Sequence, residues 1–206
     1  MLAYLEKKDI NPNMFAKKII QKPVIIIEYL KGLYSKNETY SYNCFKILNI
    51  VTDRKPDIMY SHWDFFVNLL KSDNNYHKMS AIIIIANLTA VDTEKKFENI
   101  FDMFYENLKS SNTIVPIYIV KSSGKIVKYK PELEGKITRI LLDIEKIHPG
   151  KQIELVKSAV IESFSEYFNK TSNKDKIIFF IEKQINSKSP KTRKTAKEFI
   201  KKYVEK

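Results

Sequence analysis

Arginine is nearly missing from this basic chain. Of 36 lysines and arginines in 206 residues only Arg54, Arg139 and Arg193 are arginines, so that 33 lysines produce most of the net charge of +12. Guanidinium forks are the usual means of gripping phosphate or the guanine edge, whereas lysine is a hydrated point charge common on plain solvated faces. The charge therefore points to acidic partners without singling out nucleic acid, and so much Ile, Lys and Asn is also what an AT-rich coding sequence yields. Cysteine is limited to Cys44, which excludes internal disulfides and paired-cysteine metal sites. Glycine is limited to Gly32, Gly124, Gly135 and Gly150, each standing singly, so there is no glycine-rich phosphate loop. No GxSxG or HExxH pattern occurs. The longest apolar run, residues 81–86, falls far short of the roughly 18–20 residues of a membrane span, and MLAYLEKKD carries charges where a secretory apolar region would lie. These absences predict a cytoplasmic protein, away from membranes, with no catalytic constellation, metal or cofactor.

What is present is helical pattern. At 44% hydrophobic the chain can bury a substantial core. From Pro56 to Val91 it reads as two helices joined by Lys71-Ser72-Asp73-Asn74-Asn75. Met59, Trp63, Phe66 and Leu70 form one stripe at helical spacing. Pro56 and Asp57 open that helix, a proline where no amide partner is needed and a carboxylate at the positive end of the dipole. The partner helix, from about Tyr76, carries Ala81-Ile-Ile-Ile-Ile-Ala86 and must be covered on several sides. Its β-branched run also suits a buried strand, and a repeat decides against that.

The ends of the first helices fall at Leu30, Leu70, Leu108, Ile147 and Ile185, spaced 40, 38, 39 and 38; a landmark in the partner helices falls at Cys44, Ala81, Ile119, Ala159 and Ala196, spaced 37, 38, 40 and 37. A period of this size built from helical pairs is the mark of a solenoid. Met1–Lys8 and Asn11–Gln21 read as an N-terminal cap, and Pro23 either starts a helix or kinks a longer one. Asp92 is a predicted cap for the helix bearing Phe97, Ile100, Phe101, Phe104 and Leu108. Ser122-Ser123-Gly124, between two β-branched runs, has the local look of a hairpin, but the repeat register predicts a helix from about Asn112 to Ser123 that Gly124 ends. Ser189 and Pro190 open the last helix, whose polar side carries Lys191, Arg193, Lys194, Lys197, Lys201 and Lys202, as a terminal repeat needs for solubility.

SPKTRKTAKEFIKKY, with Arg193 three residues before Ala196, and the matching Lys78 before Ala81, resemble the second-helix motif of HEAT repeats. GKIVKYKPELEGKITRILLDI resembles a HEAT inter-repeat junction, and its KPE at Lys130–Glu132 is echoed by KPD at Lys55–Asp57. Ile119 stands where a small residue is expected. The resemblance covers residues 23–206 and implies an all-α, right-handed superhelical array of about five HEAT-like pairs (approximately 23–55, 56–91, 92–130, 131–172 and 173–206) behind a cap of residues 1–22.

His62, Trp63 and Asp64 form an eye-catching cluster, but on a helix His62 and Asp64 point far apart, and Trp63 belongs to the core stripe. Cys44, at a small-residue position, reads as a packed thiol. The chain also resembles the HEAT-like alkylpurine DNA glycosylases in period and basicity; those hold damaged DNA with tryptophans and a carboxylate, and here Trp63 stands alone. Lysines remain as candidates. If second helices line the concave surface, as the resemblance implies, Lys78, Lys121, Lys157, Arg193 and Lys197 form a positive stripe, joined by Lys125 and Lys128 beside Tyr129 and by Lys194 and Lys201. Two readings stand: a non-catalytic scaffold for an acidic protein partner, or a nucleic-acid binder making phosphate contacts.

Overall fold

A computed structural model describes the backbone of residues 2–205 and the side chains of residues 4–205. Met1 and Lys206, the outer ends of the predicted cap and last repeat, lie outside the described residues. Among the described residues every regular element is helical, with no strand. The chain divides into two compact units, Met1–Glu98 and Asn99–Lys206.

The first unit holds α1 (Pro12–Gln21), α2 (Ile26–Gly32), α3 (Glu38–Arg54), α4 (Asp57–Tyr60), α5 (Trp63–Leu70), α6 (Asn75–Leu88) and the start of α7 (Lys96–Glu106). Asparagines begin three of these. The side chains of Asn11, Asn37 and Asn74 accept first-turn amides of α1, α3 and α6 that no intrahelical carbonyl can reach. Asp92 does the same for α7, its two carboxylate oxygens accepting from the amides of Lys96 and Phe97 at 2.8 and 3.0 Å. It also accepts from the Tyr60 hydroxyl at 2.6 Å.

Helix ends follow the prolines. Lys22, Lys55 and Lys130 each precede a proline, and all three leave the helical region, with φ of −138°, −143° and −128°. The proline ring crowds the preceding residue out of the α conformation, so α1 and α3 stop there. Pro23 then starts a short 3-10 turn, Pro23–Ile25, that leads into α2. The expected single helix through Met59 and Leu70 is interrupted at Ser61 and His62, where His62 takes φ −98° and ψ 15°. Its stripe survives the break, with Met59, Trp63, Phe66 and Leu70 all buried.

α3 packs on α1, α2 and α6, and α6 packs on α3 and α5. The apolar run of α6 is covered as predicted, with Ala81, Ile82, Ile84 and Ile85 fully buried, each isoleucine contributing up to about 1.5–3 kcal/mol. The α3–α6 seam also has a polar link. The Asn87 side-chain amide donates to Asn49 Oδ1 and Thr52 Oγ1, each at 2.9 Å.

The second unit holds the rest of α7, then α8 (Ile114–Tyr129), α9 (Glu134–Leu142), α10 (Ile144–Ile147), α11 (Ile153–Tyr167), α12 (Lys174–Glu182) and α13 (Pro190–Tyr203). α11 packs on both α8 and α13. Gly124 does not end α8. The helix runs through it to Tyr129 and stops at the Lys130-Pro131 step. A Cβ on Gly124 would lie 2.6 Å from Glu166 Cδ, so this glycine serves close approach of α11 rather than termination.

α13 lies alongside α11 through Ser158–Thr195 (3.1 Å), Thr192 Oγ1 donating to the Glu154 carbonyl (2.6 Å) and the Tyr203 hydroxyl donating to the Ser165 carbonyl (2.9 Å). These pairs are 37, 38 and 38 residues apart, and those of Asn87 are 38 and 35 apart. Such offsets lie at or near the period read from the sequence. Cys44, Ala81, Ile119, Ala159 and Ala196, the second-helix landmarks, are all buried.

Candidate binding surfaces

The nine predicted basic residues differ in their surroundings. Lys157 is removed from the surface altogether, a correction to the expected stripe. It is 7% exposed and its ammonium pairs with Glu154 at 2.7 Å and with Glu145. Burial alone would depress the lysine and raise the glutamate; the hydrogen bonds Lys157 makes with Glu145 and Glu154 hold the lysine above its ordinary value. The bonds from Lys157 and Ser187 likewise hold Glu154 below its own. Arg193 is a second correction. It is half-buried and its guanidinium turns back to donate to the Ser187 and Lys188 carbonyls at 2.7 and 3.1 Å, closing the loop before α13. The helical period foretells how far apart residues lie on a helix, not which side a loop or a neighbouring carboxylate will occupy.

Lys121, Lys125 and Lys128 do share the outer side of α8, with Lys121 and Lys128 exposed and Lys125 half-buried. Carboxylates of α11 stand among them. Glu162 lies 3.2 Å from the Lys121 ammonium and 3.6 Å from that of Lys191 on α13. Glu166 leans across Gly124 and sits within the electrostatic reach of Lys125 and Lys128. α8, α11 and α13 thus present alternating charge with lysine in excess. Along α13, Lys194, Lys197 and Lys201 are exposed, Lys194 standing 3.9 Å from Glu198. The chain matches no family model, no curated protein and no solved structure.

Lys78 lies in the first unit, half-buried on α6, and is not among the residues that line a groove in that unit. The groove, of about 540 Å³, lies between the N-terminal halves of α3 and α6. The Asn87 link joins the other halves of the same two helices. Phe45 and Met79 lie nearly buried beneath it, while Tyr42 and Tyr76 stand 54% and 64% exposed. Lys8, Lys36 and Lys46 line it against a single acid, Glu38. The Lys46 ammonium lies 4.9 Å above the Tyr42 ring, and His77, whose Nδ1 is 3.0 Å from the Ser72 hydroxyl, is edge-on to exposed Tyr34 at 5.1 Å. None of the predicted basic residues marks this place. The available signal was aromatic: Tyr42 and Tyr76 fall off the buried faces of their helices, amid serine, asparagine and lysine.

Elsewhere Cys44, Trp63 and His148 are buried. Cys44 is fully buried and burial pushes its thiol up to about 12, with a hydrogen bond to Tyr40 opposing. Trp63 is 2% exposed and so has no face to offer a flipped base. His62, at the start of α5, is half-buried, which depresses its pKa. His148 is buried, with Nδ1 3.2 Å from the Leu108 carbonyl. Among the described residues no group of three His, Cys, Asp or Glu side chains converges on a metal position, and no helix is long and apolar enough to cross a membrane.

Proposed function

We propose that this protein is a non-catalytic, HEAT-like interaction scaffold that holds an acidic protein partner on the face shared by α8, α11 and α13. The observation that carries this reading is the placing of Glu162 between Lys121 and Lys191, three side chains from three helices. A nucleic-acid backbone presents negative charge at every step and would bring phosphates against Glu162 and Glu166. A protein surface can instead set carboxylates against the lysines and a donor against each glutamate, so alternating charge favours a protein by complementarity and register. The lysine excess makes that partner acidic on balance.

The test pairs two measurements. Fluorescent DNA and RNA duplexes are titrated across a salt series, and a Lys121→Glu/Lys125→Glu variant is compared with the unaltered chain for retention of acidic proteins from its native cell. The expected result is little duplex binding at physiological salt and an acidic protein retained by the unaltered chain alone. Tight duplex binding whose log affinity falls steeply and linearly with log salt would establish phosphate contacts instead and overturn the scaffold reading.

A further inference from the structure

We infer that the groove between α3 and α6 is a second, separate binding site that takes a short acidic peptide segment carrying an aromatic or long aliphatic anchor. The inference rests on the scaffold reading for the class of partner and adds a place and a ligand chemistry.

Three features select that ligand. The groove's size is that of sites that enclose a side chain and its neighbours rather than a flat contact. Its base offers the edges of Phe45 and Met79, one aromatic and one adaptable thioether, which suits a large apolar side chain. Lys8, Lys36 and Lys46 stand round it against Glu38 alone, an excess of positive charge that calls for carboxylates flanking the anchor.

Tyr42 and Tyr76 supply rigid, amphipathic contact area of the kind found at binding hot spots. The helix starts themselves are closed: Asn37 and Asn74 already accept the amides of Tyr40, Tyr76 and His77. An anion in the groove is therefore met by lysine ammonium groups. A single-stranded nucleic acid fits less well. Successive bases need successive open ring faces, and the Tyr42 ring carries Lys46 above it, with Phe45 at 6.2 Å on its flank. A carboxylate, by contrast, can approach Lys46 while the lysine keeps its place over the ring.

The experiment pans the full chain against a displayed library of short random peptides, then measures the enriched peptides and a fluorescent oligothymidylate in solution. Three chains are compared: unaltered, Lys46→Glu/Tyr76→Ser in the groove, and Lys121→Glu/Lys125→Glu in the second unit. Thermal melts establish that each variant is folded; should the groove pair fail to fold, Lys36→Glu, at an exposed position, replaces it. The expected result is enrichment of peptides pairing acidic residues with an aromatic or long aliphatic residue, weakened roughly tenfold or more by the groove variant and unchanged by the other. Failure to enrich such peptides, or enriched peptides that the groove variant binds as well as the unaltered chain does, overturns the groove site while leaving the scaffold reading standing. Oligothymidylate binding that the groove variant abolishes would make it a nucleic-acid site and overturn the peptide assignment. Retention of the native acidic partner by the Lys121→Glu/Lys125→Glu variant would instead count against the face proposed above and not against the groove.

Discussion

Replacing Gly32 by alanine should destabilise the first unit, and removing the Cys44 sulfur should undo much of the damage. Gly32 closes α2 against α3, and a Cβ there would stand 2.4 Å from Cys44 Sγ, 2.9 Å from Tyr40 Cε1 and 3.3 Å from Cys44 Cβ. Ordinary contacts between such atoms lie near 3.5–4.0 Å. The sulfur cannot swing aside, because Cys44 is fully buried in the middle of α3. Over-packing of this kind costs about 1–3 kcal/mol. Alanine returns up to about 1 kcal/mol of helix propensity, less at a final helical position. The net expectation for Gly32→Ala is a loss of about 1–2 kcal/mol. Cys44→Ala alone should lose about 1–2 kcal/mol through lost burial and a small cavity. In the double variant the new methyl takes up the vacated space, so its loss should fall short of the two single losses added together by at least about 1 kcal/mol, well beyond the scatter of independent sites. Trp63 is the sole tryptophan and lies buried in the same unit, so its fluorescence during urea unfolding reports on this unit directly. Strict additivity, or a neutral Gly32→Ala, would refute the steric account.

Ala81→Asp places a carboxylate at a fully buried position of α6 and should cost several kcal/mol, enough to abolish the native Trp63 signal at ambient temperature; an unchanged melt would sink the assignment of α6 to the core. Lys157→Met should lose about 1–3 kcal/mol, since Glu154 and Glu145 lose their shared cation, and calorimetry that finds a stabilised protein would show the network to be dispensable. The same network fixes an acid limb: Glu154 is held low, so its contribution is full above the unfolded value of about 4.3 and is lost as pH falls through the lower folded value, a limb that should vanish in Glu154→Gln. Cys44 sets an alkaline limb: the buried thiol keeps its proton up to about 12, whereas the unfolded thiol ionises near about 8.5. Stability should therefore decline across that window in the unaltered chain and less so in Cys44→Ala.

Much of the helical architecture was legible because its causes are local. The Met59–Leu70 stripe, the caps at Asp92 and Ser189, the lysine-proline junctions and the buried landmarks at Cys44 and Ala81 each follow from spacing or from one residue's stereochemistry. Gly124 misled for an equally physical reason. A glycine that ends a helix and one that lets a neighbouring helix approach look alike until Glu166 is placed beside it. The surfaces were least legible. Lys157 on α11 and Lys121 on α8 are both lysines of the second unit's helices, but one is enclosed by Glu145 and Glu154 and the other stands at the surface beside Glu162. Lys157 finds its carboxylates 3 and 12 residues away, whereas Lys121 meets Glu162 41 residues on, so which carboxylate comes to which ammonium is decided by how the helices pack. The α3–α6 groove escaped for the same reason, since Tyr42 and Tyr76 belong to different helical pairs.

The link from Asn87 to Asn49 and Thr52 has a consequence for α6 as a rigid body. A helix apolar on nearly every side gains almost the same burial at many rotations about its axis and at many positions along a neighbour, because the hydrophobic effect has no direction. Hydrogen bonds do. Turn α6 by one residue, or slide it by one helical turn along α3, and the buried Asn87 would lose its bonds to Asn49 and Thr52, at a cost of about 1–3 kcal/mol. One amide thus acts as a detent, selecting a single setting for an element that its four isoleucines would otherwise leave free to slip.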